Sequence, residues 1–197
     1  QPIERDGDQA AVRRLRRMIS PFLLRRYKKD VLEELPDKLE QVVYSRMEKE
    51  QRKLYSARAH LLKASLEGMG SEQYKKERIQ VLSELLRLRQ LCCDPSLCYE
   101  DYRGGSAKLA TCMGLLRRGI LDGHKILVFS QFTSMLEIIG RRLKEEGTAY
   151  YELTGKTGKE ERLELVNAFR EDSVPVFLIS LKAGGTGLNL TAADLVI

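Results

Sequence analysis

The sequence predicts an α/β protein in which a helical region precedes a parallel sheet flanked by helices. Three observations predict it. Up to about Gly104 the chain carries long stretches free of Gly and Pro with helical periodicity. From Ser106 onward short apolar runs alternate with amphipathic segments, at the spacing of strand–helix–strand units in a parallel sheet. Finally, the apolar run of Val176 to Ile179 leads directly into "SLKAGGTGLNLTAADLVI" (180–197), a glycine-rich turn after a strand. Such turns let bare backbone N–H groups approach an anion closely.

Along the chain, Leu39–Tyr44 ("LEQVVY") alternates enough to predict a short strand, set off by Pro36 from a basic stretch. Ser45 and Glu48 stand in the S-x-x-E spacing of a capping box ahead of "MEKEQRKLYSARAHLLKASLE". In that helix Leu54, Arg58, Leu61/Leu62 and Ser65/Leu66 form one mainly apolar stripe. "GMGS" predicts a turn, and in "EQYKKERIQVLSELLRLRQLCC" Ile79, Leu82 and Leu86 with Val81, Leu85 and Leu88 predict a wide, well-buried stripe. Asp94–Pro95 ends it, because the residue before proline avoids helical geometry. Ser106 then caps a helix reaching through Arg118. "KILVF" (125–129) reads as a strand buried on both faces. Thr133 or Ser134 caps a helix with Met135, Ile138/Ile139 and Leu143 inward, ended by Gly147. "AYYEL", "KEERLELVNAF", "VFLIS" and "DLVI" continue as strand, helix, strand and strand.

Composition bounds the function. The 197 residues are 43% hydrophobic and 31% charged, the balance of a soluble globular chain, and no apolar run approaches the roughly 20 residues of a membrane span. The start "QPIERDGDQA" lacks the apolar core of a signal peptide. Cys92, Cys93, Cys98 and Cys112 fit no zinc spacing, so no metal site is expected and free thiols in a reducing cytoplasm are. The net charge of +6 suits a polyanionic partner. Residues 1–104 hold 22 Lys+Arg against 17 Asp+Glu, and residues 105–197 hold 12 against 11. Arg13–Lys29 alone carries eight basic residues and no acid. A solvated or acid-paired helix face is the commoner explanation of such a run.

Ligands of parallel sheets bind at the carboxyl ends of the strands, which singles out the loops Ser130–Thr133, Thr154–Lys159 and Leu181–Thr191. "LTGKTGKEE" is not a Walker loop, because Tyr150 stands five residues before Gly155 and Glu160 succeeds Lys159. "AGGTGLN" is not G-x-G-x-x-G either. Neither loop has an acid placed to hold magnesium.

"KILVFSQFTSMLEII", "LTGKTGKEERLELVNAF" and "VFLISLKAGGTGLNLTAADLVI" together resemble the second RecA-like lobe of the Swi/Snf-like DNA translocases of helicase superfamily two. Their order matches motif IV, the segment with R-x-x-x-V-x-x-F, and motif V. "SPFLLRRYKKDVLEELPDKLE" and "LRQLCCDPSL" resemble the family's end of the first lobe and its L-R-Q-x-C-x-x-P element, so the resemblance spans essentially the whole chain. It implies an incomplete RecA-like parallel sheet with flanking helices (105–197, truncated after motif V), preceded by an α-helical lobe-linking and protrusion region (1–104). It also implies ATP between two lobes, with Mg2+ held by the first. By resemblance, Gly185, Gly187 and Asn189 belong to the nucleotide side. Ser130, Gln131, Thr154, Gly155, Lys156, Arg162, Lys182 and Thr186 belong to the DNA backbone, although Arg162 has an ion pair with neighbouring glutamates as an equal alternative.

The chain departs from the family pattern in lacking a Walker A loop, the acid box and the motif VI arginines. The expectation is therefore the middle of an ATP-driven double-stranded DNA translocase, inactive alone, whose partners are duplex DNA, a first RecA-like lobe and a DNA-bound protein. A cytoplasmic, nucleoid setting is expected, or a nuclear one if the source is eukaryotic. The alternative is a non-enzymatic helical DNA- or protein-binding module, which would have no use for motif V.

Overall fold

The computed structural model describes residues 8–23, 39–185 and 187–197. Two compact units divide the chain, 1–43 and 44–197. In the first, α1 (Gln9–Ile19) is capped by Asp8, whose Oδ1 accepts from the N–H groups of Ala10 (2.8 Å) and Ala11 (3.2 Å). Helical periodicity puts Val12, Leu15, Met18 and Ile19 on one side of α1 and Arg13, Arg14, Arg16 and Arg17 on the other. Residues 24–38, which include the second half of the basic run, lie outside the described residues.

The expected strand at Leu39–Tyr44 does not form: residues 39–48 carry no regular element, and Leu39 and Tyr44 are about nine-tenths exposed. Alternation alone does not make a strand without a neighbouring strand to pair with. The expected capping box also fails. Helix α2 (Lys49–Glu67) starts with Glu48 at its N-cap, while Ser45 Oγ donates to Thr111 Oγ1 at 2.8 Å, 66 residues away. Helix α3 (Ser71–Cys93) returns against α2, held by the Arg58–Glu84 fork, where Nε and Nη2 donate to the two carboxylate oxygens at 2.8 and 3.2 Å. Val81, Leu88 and Leu91 close against Leu62. The wide stripe of α3 is not buried as expected. Ile79, Leu82, Leu85 and Leu86 are exposed, because α2 covers one side of the helix.

Gln51 ties this hairpin to helix α4 (Ala107–Leu121). Its side chain is fully buried; Nε2 donates to the Leu91 carbonyl at 2.8 Å and Oε1 accepts from the Ala107 N–H at 3.4 Å. Ser106 caps α4 through the Leu109 N–H and donates to the Cys93 carbonyl at 2.7 Å.

Among the described residues the sheet has four parallel strands: β1 (Ile126–Ser130), β2 (Tyr150–Leu153), β3 (Val176–Ser180) and β4 (Leu195–Val196). Their order is β2-β3-β1-β4, with Ile126 opposite Val176 and Tyr150 opposite Val176 on the other side. Helix α5 (Thr133–Glu145) comes after β1, and helix α6 (Lys159–Glu171) after β2. Phe132 stands at the N-cap of α5, not Thr133 or Ser134; Ser130 Oγ sets that turn by accepting from the Phe132 N–H at 3.1 Å. The helix does end at Gly147, whose φ of +71° lets the chain reverse.

Alternation along the strands splits the core in two. Ile126, Val128, Val176 and Leu178 face α4 and α5, against Met113, Leu116, Leu136 and Leu143. Leu127, Leu153, Phe177 and Ile179 face α6 and pack on Phe169. Fully burying each such side chain stabilises by about 1.5–3 kcal/mol. Lys125 anchors the far end of α6: its ammonium donates to the Phe169 and Asp172 carbonyls and lies 4.7 Å from the Phe169 ring centroid. A cation there also offsets the negative end of the helix dipole.

Candidate nucleic-acid and nucleotide interface

Because all four strands are parallel, Ser130, Leu153 and Ser180 end on one edge of the sheet. The segment after β3 opens as a one-turn helix, α7 (Leu181–Gly184), because Ser180 Oγ accepts from the Ala183 N–H at 3.3 Å. Gly184 is required there: a Cβ would stand 2.8 Å from Phe129 Cε1 and 3.2 Å from Ile179 Cγ2. Gly187 has φ +63° with open space around it, a conformation that suits glycine.

The edge gathers Gln131, Thr154, Gly155, Lys156 and Lys182 around one groove of about 270 Å3, together with Thr133, Glu137, Glu152 and Ser180. The Thr154 turn is self-supporting. Its N–H donates to Thr157 Oγ1 at 3.1 Å, and its own Oγ1 accepts from the Lys156 N–H at 3.3 Å. Lys156 and Lys182 are exposed and project from short turns. Ser130 lies next door, in a cleft of about 460 Å3 that shares Gln131 and is lined by Arg89, Lys108 and Cys112.

Arg162 and two of the three nucleotide candidates, Gly187 and Asn189, fall elsewhere, on a depression of about 570 Å3 beside α6 with Lys159, Asn167 and Arg170. Arg162 Nη1 donates to the Ala183 carbonyl at 3.3 Å, so the α6 residue braces the turn after β3. Gly185 is exposed at the end of α7, and Thr186 lies outside the described residues.

Sequence reasoning missed several groups. Arg89 of α3 donates to Gln131 Oε1, bringing a cation of the helical hairpin to the rim. Glu137 and Glu152 were missed as well, although strand alternation places Glu152 one residue before the end of β2. Burial pushes the Glu152 carboxyl above the usual carboxylate range, the Glu137 charge adds to the rise, and Lys156 opposes it. Among the described residues no three His, Cys, Asp or Glu side chains come together to hold a metal ion, so these residues do not fit Mg2+. Nor is any described helix long and apolar enough to cross a membrane.

Sheet, rim and helical hairpin define an α/β domain with a ligand-sized rim at the carboxyl ends of its strands and a helical hairpin ahead of it. The family model of the SNF2-related domain matches residues 1–97, and that of the helicase conserved C-terminal domain matches residues 107–197. The SWI2/SNF2 ATPase C-terminal domain of Sulfolobus solfataricus superimposes with a TM-score of 0.71 at 32% identity, over 81% of this chain and 71% of that one. The core of the Sulfolobus solfataricus ATPase in complex with dsDNA gives 0.73 at 33% identity, over 97% of this chain and 41% of that one. In sequence, the mouse SWI/SNF-related matrix-associated actin-dependent regulator of chromatin subfamily A member 1 is 36% identical, over 97% of this chain and 19% of its own length. The chain belongs to the SWI2/SNF2 family. It spans about a fifth of the length of the curated relatives it matches.

Proposed function

We propose that this chain is part of an ATP-dependent double-stranded DNA translocase of the chromatin-remodelling type. Residues 1–104 act as the lobe-linking helical region and 105–197 as the RecA-like second lobe. One observation carries the reading: Gln131, Thr154, Gly155, Lys156 and Lys182 converge from three separate turns on one groove at the carboxyl edge of the sheet. Two ammonium groups among hydroxyls, a side-chain amide and a glycine turn suit a phosphate backbone, which such groups hold without reading bases. Ser130 extends this surface, and Arg162 holds the Ala183 turn from which Lys182 projects. Gly185, Gly187 and Asn189 take the ribose side of ATP, where an open glycine turn admits a ligand close to the backbone. Mg2+ and the remaining catalytic groups come from the first lobe, so this chain alone turns over no ATP. Lobe closure on ATP then tightens the grip on DNA, and hydrolysis loosens it for the next step; a DNA-bound protein is the load.

The test is binding of the 197-residue chain to random-sequence duplexes across a salt series. Lys156→Ala and Lys182→Ala should each weaken binding alike on every sequence and reduce the slope of log K against log salt by about 1. Unchanged affinity and slope in both variants would remove the groove from DNA contact.

A further inference from the structure

The proposed backbone groove carries two acids among its candidate phosphate ligands. Glu137 comes from α5, Glu152 from β2, Lys156 from the turn before α6 and Lys182 from α7. Two carboxylates offset the two ammonium groups of the lining, which leaves Arg89, held on Gln131 at the rim, as the excess cation and little net charge with which to attract a phosphate. We propose that this groove binds the DNA backbone together with a proton taken up on the Glu152 carboxylate, a control that rests on the DNA reading above.

Strand alternation gives Glu152 little freedom to leave. Tyr151 packs at the α6-side core and Leu153 is buried within it, so Tyr150 and Glu152 point to the α5 side, where Tyr150 packs. Glu152 sits opposite Leu178, a buried apolar residue of β3. The charged groups around it are Glu137 from α5, Lys156 from the turn and Lys182 from α7, with Arg89 of α3 behind Gln131; Thr133, Thr154, Gln131 and Ser180 complete the surround without charge. Burial and the Glu137 charge already favour the protonated form. A phosphate between Lys156 and Lys182 adds another negative charge and engages Lys156, which opposes the rise, so it raises the Glu152 pKa further. The proton comes from solvent water; the carboxylate becomes a neutral carboxyl group able to donate to a phosphate oxygen, and no other bond changes. By linkage, binding that takes up a proton strengthens as pH falls and weakens as it rises. Glu137 is exposed and can turn towards solvent, which leaves Glu152 as the controlling acid.

Fluorescence anisotropy of the 197-residue chain with a labelled random-sequence duplex, from pH 5.5 to 8.5 at fixed ionic strength, tests this. Glu152→Gln should bind about three- to tenfold more tightly than the parent at pH 8, the effect of removing one charge a few ångströms from a phosphate in a watery dielectric. The two should converge towards pH 5.5, and Glu152→Gln should lose most of the parent's pH dependence. Glu137→Gln should give a smaller gain and keep the pH dependence. Equal affinity of parent and Glu152→Gln at pH 8, or the same pH slope in both, would overturn the proposal. Lys156→Ala and Lys182→Ala in the same series separate the two readings. If they weaken binding while Glu152→Gln does nothing, proton linkage alone falls; if they too are silent, the groove is not the DNA site.

Discussion

Replacing Gln51 with leucine should cost the fold about 2–3 kcal/mol. The Leu91 carbonyl is among the last four of α3 and the Ala107 N–H is the first of α4, so both lack partners within their own helices. Gln51 supplies both from a fully buried position, at 2.8 and 3.4 Å. Leucine leaves a buried carbonyl unpaired, at about 1–3 kcal/mol, and adds a smaller loss for the longer bond to Ala107. Greater apolar burial by leucine offsets part of this. With a urea m-value of about 2 kcal/mol/M, the midpoint should fall by about 1–1.5 M with m unchanged, as read by far-UV circular dichroism. Gln51→Glu gives the sharper result. An ionised carboxylate can accept from Ala107 but faces the Leu91 carbonyl without a proton to donate. Its folded pKa is therefore raised, so its stabilising contribution is present at acid pH and is lost as pH rises through that folded value. A leucine variant within about 0.5 kcal/mol of the parent, or a glutamate variant with unchanged pH dependence, would refute the double-capping role.

Two titratable groups give further expected outcomes. The Asp194 carboxylate, 2.8 Å from His124 Nδ1, raises the His124 pKa above its usual 6.5, first through the hydrogen bond and then through charge. Its stabilising contribution is present below the unfolded pKa and lost as pH rises through the higher folded value, so His124→Asn should flatten the dependence of Tm on pH across that window. Burial pushes the Cys112 thiol up to about 11, so at pH 8 iodoacetamide labelling read by peptide mapping should modify Cys112 far more slowly in the folded chain than in urea.

The α/β half of the fold was legible because its apolar runs are short and separated by clear turn residues, and the two central ones, β1 and β3, are largely buried on both faces. The rim loops came from strand direction alone, and the resemblance supplied the residues within them. What sequence could not show was competition between partners. Ser45 has the spacing of a cap, yet its hydroxyl is drawn to Thr111, which only folding brings near. The stripe on α3 is continuous in sequence, but burial depends on how many neighbours arrive, and α2 covers only part of it. Gln51 carried no local signal, since a polar residue near a helix start usually faces water. Glu152 was readable by alternation as a residue of the α5 face, but only the arrival of Glu137 and the two lysines gives that position a chemical meaning.

Helix α6 is held at both ends by groups outside it. Near its start Arg162 grips the Ala183 carbonyl on the rim; beyond its last turn Lys125 takes the Phe169 and Asp172 carbonyls, and Tyr151 donates to Asp172 at 2.5 Å. Thirteen residues at 1.5 Å each make a rod of about 20 Å that spans the sheet from rim to opposite edge. Clamped at both ends, such a rod transmits displacement instead of absorbing it by fraying. A ligand that shifts the turn at Ala183 would push on the Lys125 end as well, so a displacement at the rim would be felt at the opposite edge of the sheet.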